Sequence, residues 1–142
     1  MKVMIVDDND IVRRWLRTML SEIEGVQCAG QAEDVPTAKG MARMVQTDVA
    51  ILDMRLPGGN GLHVLAEIKH AQPSAQVIMF TDFAYERDRN QCLQLGADFV
   101  FDKAQYKDMI EVVKRLNQHF IAGSVRQKSL EVHQDEHSLI RS

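Results

Sequence analysis

Short strand-like segments alternate five times with stretches of helical spacing, and this alternation constrains the fold more than any other feature. The strand candidates are Val3-Met4-Ile5-Val6, the segment 26–32, Val49-Ala50-Ile51-Leu52, Val77-Ile78-Met79-Phe80 and Phe99-Val100-Phe101. Short apolar runs bounded by turn residues suit strands covered on both faces, as in a parallel sheet. The second candidate is the weakest, because Gly30 interrupts it. Between them the apolar period changes to that of a helix. Val12, Leu16, Met19, Leu20 and Ile23 share one face, as do Ala38, Met41, Ala42 and Val45. Leu62, Leu65 and Ile68 mark a third helix, closed before Pro73. Residues 84–95 mark a fourth, stopped by Gly96, and Tyr106, Met109, Ile110, Val113 and Leu116 a fifth. Asp10 is placed to cap the first helix, and Asp34 with Pro36 to start the second. Five β-α units in series predict an α/β fold: a five-stranded parallel sheet, doubly wound as (βα)5, with right-handed crossovers. In such sheets the functional site lies at the carboxyl ends of the strands.

A chain of 142 residues suits one domain with one core. The alternation ends near residue 122. Residues 123–142 are polar, mixed in charge and poor in aromatics, which predicts a tail that is frayed or weakly helical. Val125 and Val132 extend the apolar face of the last helix only thinly. With a net charge of -3 and no dense Lys/Arg block, direct nucleic-acid binding is not expected. There is no apolar run of about 18 residues, so no membrane insertion is expected. The opening MKVMIVDD turns acidic after a short apolar run, unlike a signal peptide. Cys28 and Cys92 lack metal-ligand spacing and read as free, buried or half-buried thiols, which suits a cytoplasmic location.

The chemistry lies at the predicted strand ends. Asp7 and Asp8 follow the first strand, Asp53 ends the third, Thr81 ends the fourth and Lys103 follows the fifth. The sheet therefore gathers three carboxylates, a hydroxyl and an ammonium at one edge. Two carboxylates about 4 Å apart repel by roughly 4 kcal/mol at an effective dielectric of 20. A hard divalent cation offsets that repulsion, and oxygen donors suit magnesium. Asp8 and Asp53 are the expected direct ligands, Asp7 acts through water, and the backbone carbonyl of Arg55 is a further candidate. An Asp53 oxygen can attack a phosphoryl group in line and form an acyl phosphate. Thr81 can then donate to one phosphoryl oxygen, and Lys103 can pair with another.

These residues resemble the receiver domains of two-component response regulators, over about residues 2–120. The resemblance rests on Val6-Asp7-Asp8-Asn9, on Leu52-Asp53-Met54-Arg55-Leu56-Pro57 with Gly61 beyond it, on Thr81, and on Gly96-Ala97-Asp98 followed by Lys103. It implies strand order 2-1-3-4-5 and phosphotransfer to Asp53 from the phosphohistidine of a histidine kinase or histidine phosphotransfer protein. It also implies a signal read by a downstream protein on the surface of the fourth helix, fifth strand and fifth helix. The site would catalyse its own aspartyl phosphorylation and dephosphorylation, not the turnover of a separate substrate. Three positions depart from the family pattern. Val100 stands where an aromatic switch residue is usual, Asp82 where a small residue follows the threonine, and Ala104 where a proline follows the lysine.

Other readings share some of these features. A haloacid-dehalogenase-like phosphatase also uses an aspartyl nucleophile, but it needs a second aspartate where this chain has Arg55. A flavodoxin-like electron carrier shares the topology, but the run Asp7-Asp8-Asn9-Asp10 repels a phosphate that has no metal beside it. A receiver cut from a longer regulator is a third reading. The polar tail shows no linker leading onward, so a single-domain regulator without DNA-binding output is the expectation.

Overall fold

The computed structural model describes the backbone of residues 1–82 and 84–141, and side chains as far as residue 124. Strands β1 (Lys2–Val6), β2 (Gln27–Ala32), β3 (Val49–Leu52), β4 (Gln76–Thr81) and β5 (Phe99–Asp102) form one sheet in the order β2-β1-β3-β4-β5. All its pairings are parallel. The expected fold class and strand order are therefore those found. Helices α1 (Asp10–Ser21), α2 (Val35–Met44), α3 (Gly61–Ala71), α4 (Glu86–Gln94) and α5 (Tyr106–Arg141) alternate with the strands.

Successive strand residues face opposite sides of a sheet, so two cores form. Val3, Ile5, Val49, Ile51, Ile78 and Phe80 pack with Leu16 and Leu20 of α1 and Met109 and Val113 of α5. Met4, Val6, Ala50, Leu52, Val77 and Met79 pack on the other face with residues of α2, α3 and α4. All of β3 is buried, which is why it reads as an unbroken apolar run. The weakness at Gly30 has a structural counterpart. The register between β1 and β2 slips after Val3, pairing Val3 with Cys28 but Met4 with Gly30. A Cβ at Gly30 would lie 2.4 Å from the Met41 side chain, so the missing side chain lets α2 pack closely. Cys28 and Cys92 are both free thiols, half-buried and buried.

Two expectations need correction. The cap of α1 is Asn9, whose side chain accepts from the Ile11 and Val12 amides at 2.9 and 3.3 Å. Asp10 instead lies in the first turn and pairs with Arg13 and Arg14. Helix α4 starts at Glu86, not 84, and ahead of it the Ala84 amide donates to the Asp102 carboxylate at 3.1 Å. Its N-cap is Tyr85, in extended conformation and without a side-chain cap bond, so the exposed Asp82 does not cap it. It ends as expected, with Gly96 at φ 105° and the Ala97 amide donating back to the Cys92 carbonyl at 3.0 Å. Helix α5 continues as backbone to Arg141 through the segment expected to be frayed or weakly helical. The side chains of Val125 and Val132 lie outside the described residues.

One turn fixes the carboxyl end of β3. A two-residue ribbon pairs Arg55–Leu56 with Gly59–Asn60, and the Gly61 amide then donates to the Met54 carbonyl at 2.7 Å. A Cβ at Gly61 would lie 2.1 Å from the Asp53 carbonyl oxygen and 3.0 Å from Met54 Cα, both backbone atoms that cannot yield cheaply. Gly61→Ala is expected to destabilise the protein by about 2–3 kcal/mol, at the upper end of overpacking costs. A urea midpoint unchanged from wild type would refute this account of the turn.

Candidate active site

The carboxyl edge of the sheet brings the predicted residues together. The Thr81 hydroxyl donates to Asp53 Oδ1 at 2.8 Å, and Lys103 Nζ donates to Asp53 Oδ2 at 3.1 Å. Lys103 Nζ also lies 2.8 Å from Asp7 Oδ2, so one ammonium bridges two carboxylates. Asp7 and Asp53 are 2% and 6% exposed, whereas Asp8 faces solvent. Carboxylate oxygens of Asp7, Asp8 and Asp53 all fall within 4.8 Å of one another. The Arg55 amide donates to Asp53 Oδ1 at 3.3 Å, which brings the Arg55 backbone to the site. The sheet thus gathers Asp7, Asp8, Asp53, Thr81 and Lys103, with Arg55 present through its main chain.

Local structure aims these groups. The Asp53 amide donates to the Val6 carbonyl of β1, and the Asp7 amide to the Ala32 carbonyl of β2, which continues the parallel ladder into the acidic turn. Asp7 Oδ1 accepts the Asn9 amide at 2.9 Å, while its Oδ2 faces Lys103. Both Asp7 oxygens are therefore engaged within the protein. Burial raises the Asp7 carboxyl above the usual aspartate value of 3.8, the Asp53 charge adds to the rise, and the bonds from Lys103 and Asn9 only partly oppose it. Burial pulls Lys103 down, but the Asp7 hydrogen bond and the two carboxylate charges outweigh it, so the ammonium is held above its usual 10.5.

Two supporting residues escaped the sequence reading. Arg13 is nearly buried and its guanidinium donates to the Asp7 carbonyl at 2.6 Å. Nothing in helical spacing marks it out from Arg14 or Arg17. Asp102, which ends β5, accepts from the Ala104 amide at 2.9 Å and caps the 3-10 turn Lys103–Gln105 that carries the lysine. A signal for it was present, since Asp102-Lys103-Ala104-Gln105 fits the capping-box pattern. All described peptide bonds are trans, including the one before Ala104. Val100 is buried in the core on the α4 side, and Phe99 and Phe101 stack on the opposite side with centroids 6.3 Å apart. An apolar cleft of about 350 Å³, lined by Ile11, Val12, Trp15, Phe80, Lys103 and Tyr106, adjoins the lysine.

The donor set fits a hard divalent cation: three carboxylates converge, two of them buried, with oxygen ligands and no sulfur or imidazole among them. One ammonium cannot neutralise all three charges.

Comparison with known proteins points the same way. A family model described as the response regulator receiver domain matches residues 3–116. The response regulator GacA of Pseudomonas aeruginosa is 30% identical over 130 residues, which cover 89% of this chain and 61% of GacA. The chain thus spans less than two thirds of that relative's length. Protein CcdB of Bacillus subtilis is 30% identical over 119 residues, covering 83% of this chain and 98% of CcdB. The isolated REC domain of RcsB from Salmonella enterica serovar Typhimurium, solved in the presence of phosphomimetic BeF3-, superposes with a TM-score of 0.68 at 29% identity, over 73% of this chain and 78% of that one. Fold, acidic edge and sequence match together place the chain in the family of response regulator receiver domains of two-component systems.

Proposed function

We propose that Asp53 accepts a phosphoryl group from the phosphohistidine of a histidine kinase or histidine phosphotransfer protein, in a magnesium-dependent reaction that switches a protein-binding surface. The observation that carries this reading is the Asp53 carboxylate itself, nearly buried and shared between the Thr81 hydroxyl and the Lys103 ammonium. An Asp53 oxygen attacks phosphorus, the nitrogen–phosphorus bond breaks, and its electron pair returns to the donor imidazole. Lys103 and Thr81, already in contact with the nucleophile, turn to the phosphoryl oxygens as charge builds on them. Asp8 and Asp53 are the direct magnesium ligands in this reading, with Asp7 acting through water and the Arg55 carbonyl completing the set. The ion supplies charge neutralisation at the phosphoryl oxygens. Asp7, held by Lys103 and Asn9, is the least free of the three carboxylates to bind directly.

The test is incubation with acetyl phosphate and magnesium, followed by intact mass. The expected result is one added phosphoryl group, lost in alkali as acyl phosphates are. A stable adduct, or none, overturns the assignment. Magnesium binding is also expected to show in stability. A ligand bound only by the folded state adds about 2.7 kcal/mol at a hundredfold excess over Kd, or on the order of 5–10 °C in Tm for a domain of this size. Asp8→Ala is expected to remove that shift. An equal shift in the variant would dismiss Asp8 as a ligand.

The receiver unit is assigned to residues 1–122, and 123–142 is read as a polar tail whose backbone continues α5 as far as Arg141. CcdB is covered over 98% of its length, so a relative of this chain is little longer than a receiver unit, and a regulator acting through protein contacts is the first reading. GacA continues beyond the matched region and favours a second reading, a receiver belonging to a longer regulator. Retention of DNA fragments by the phosphorylated chain would decide against the first.

A further inference from the structure

Val100 is buried, aliphatic and without a hydroxyl, so it cannot swing a polar aromatic ring between two positions. Some other group must connect the phosphoryl site to α4. Asp102 stands opposite Thr81 in the pairing of β4 with β5. One of its carboxylate oxygens accepts the Ala84 amide at 3.1 Å, and the other the Ala104 amide at 2.9 Å. A single side chain thus ties Ala84 to the turn that carries Lys103. Beyond Ala84 the next residue is extended, and the helix begins at Glu86.

We propose that Asp102 is a positioning residue, a clasp that holds Ala84, ahead of α4, in its resting place and that phosphorylation of Asp53 must release. The proposal rests on Asp53 being the phosphoacceptor. In the resting arrangement the Thr81 hydroxyl donates to Asp53 Oδ1. A phosphoryl group on Asp53 adds its oxygens beyond the carboxylate, outside the strand end. For Thr81 to donate to one of them, its strand end and the residues after it must follow outward. Ala84 lies three residues on and is pinned to β5 through Asp102. The clasp therefore opposes the motion that phosphorylation requires, and its release frees the first turn of α4. A hydrogen bond to a charged acceptor is strong enough for this role, and Ala84, half-exposed, finds water once released.

The carboxylate has a second task, capping the 3-10 turn, and the test must separate the two. Serine is a good cap, because its hydroxyl accepts from a nearby amide, but it is too short to bridge to Ala84 as well. Asp102→Ser therefore keeps the cap and opens the clasp, whereas Asp102→Ala loses both. Labelling by acetyl phosphate with magnesium is measured for wild type and both variants, together with amide hydrogen exchange at Ala84 and along α4 in the unphosphorylated proteins. The expected result is initial labelling roughly five- to tenfold faster in the serine variant, tenfold being about 1.4 kcal/mol of barrier, and a smaller gain in the alanine variant, whose Lys103 turn has lost its cap. Faster exchange at Ala84 is expected in both. The serine variant keeps a melting temperature near that of wild type. A serine variant that labels at the wild-type rate, or slower, overturns the clasp while leaving Asp53 as phosphoacceptor. Wild type that takes no label overturns the phosphoacceptor reading, and the clasp falls with it.

Discussion

Lys103→Met is expected to destabilise the metal-free protein by about 3 kcal/mol, with magnesium returning much of the loss. The ammonium lies 2.8 Å from Asp7 and 3.1 Å from Asp53, and both carboxylates are buried. Methionine keeps the apolar stem, so the change isolates the charge. Removing one partner of a buried ion pair costs about 3–5 kcal/mol, because the remaining charge stays out of water. The lower end applies here, since the lysine side chain is 14% exposed and the exposed Asp8 leaves the site open to water. The effect depends on pH with a definite sign. Burial has already raised the Asp7 carboxyl above 3.8 in the folded state. Its contribution to stability is therefore full below pH 3.8 and is lost as pH rises through the folded value. Without Lys103 the rise is larger, so stability in the variant falls more steeply as pH rises above 3.8 than in wild type. Lys103 acts in the opposite range. Its folded value is raised, so its contribution holds below about 10.5 and is lost in stronger alkali, a loss the variant does not show. Urea titrations with chelator and with magnesium, at several pH values, measure all of this. A loss under about 1 kcal/mol at pH 7 would mean that water, and not Lys103, screens the two aspartates.

The sheet and the catalytic edge were legible for different reasons. Parallel strands covered on both faces must be apolar along their whole length, so β3 and β4 announce themselves as runs, and the polar residues that end them fall at one edge. Asp7, Asp53, Thr81 and Lys103 needed nothing beyond that rule to be brought together. Interactions that depend on which residue reaches across a turn were not legible. Asn9 and Asp10 are both good caps, and only the backbone decides between them. Arg13 and Arg14 are equivalent in sequence, yet one reaches the Asp7 carbonyl and the other remains exposed. The start of α4 was misplaced because Tyr85 takes an extended backbone ahead of the helix, which local propensity does not reveal.

Asp53→Asn is expected to abolish phosphoryl transfer while leaving the fold intact. An amide oxygen is a far weaker nucleophile than a carboxylate, so the covalent step is lost and not merely slowed. The surrounding contacts largely survive. Asparagine Oδ1 can still accept from the Thr81 hydroxyl and the Arg55 amide, which both address Oδ1 in the wild type. Its amino group faces Lys103, donor against donor, so the ammonium turns to Asp7 alone. That loss is offset by removing one of three converging negative charges, which repel by several kcal/mol at these separations. The metal-free variant should thus melt within a few degrees of wild type, and its magnesium shift should shrink because one ligand has gone. Asp8 is the alternative acceptor nearest to hand, but it faces solvent and neither Thr81 nor Lys103 contacts it among the hydrogen bonds found. Intact mass after incubation with acetyl phosphate and magnesium is therefore expected to show no adduct on the variant under conditions that label wild type to near one equivalent. Stoichiometric labelling of Asp53→Asn would move the nucleophile to another carboxylate and leave Asp53 a magnesium ligand only.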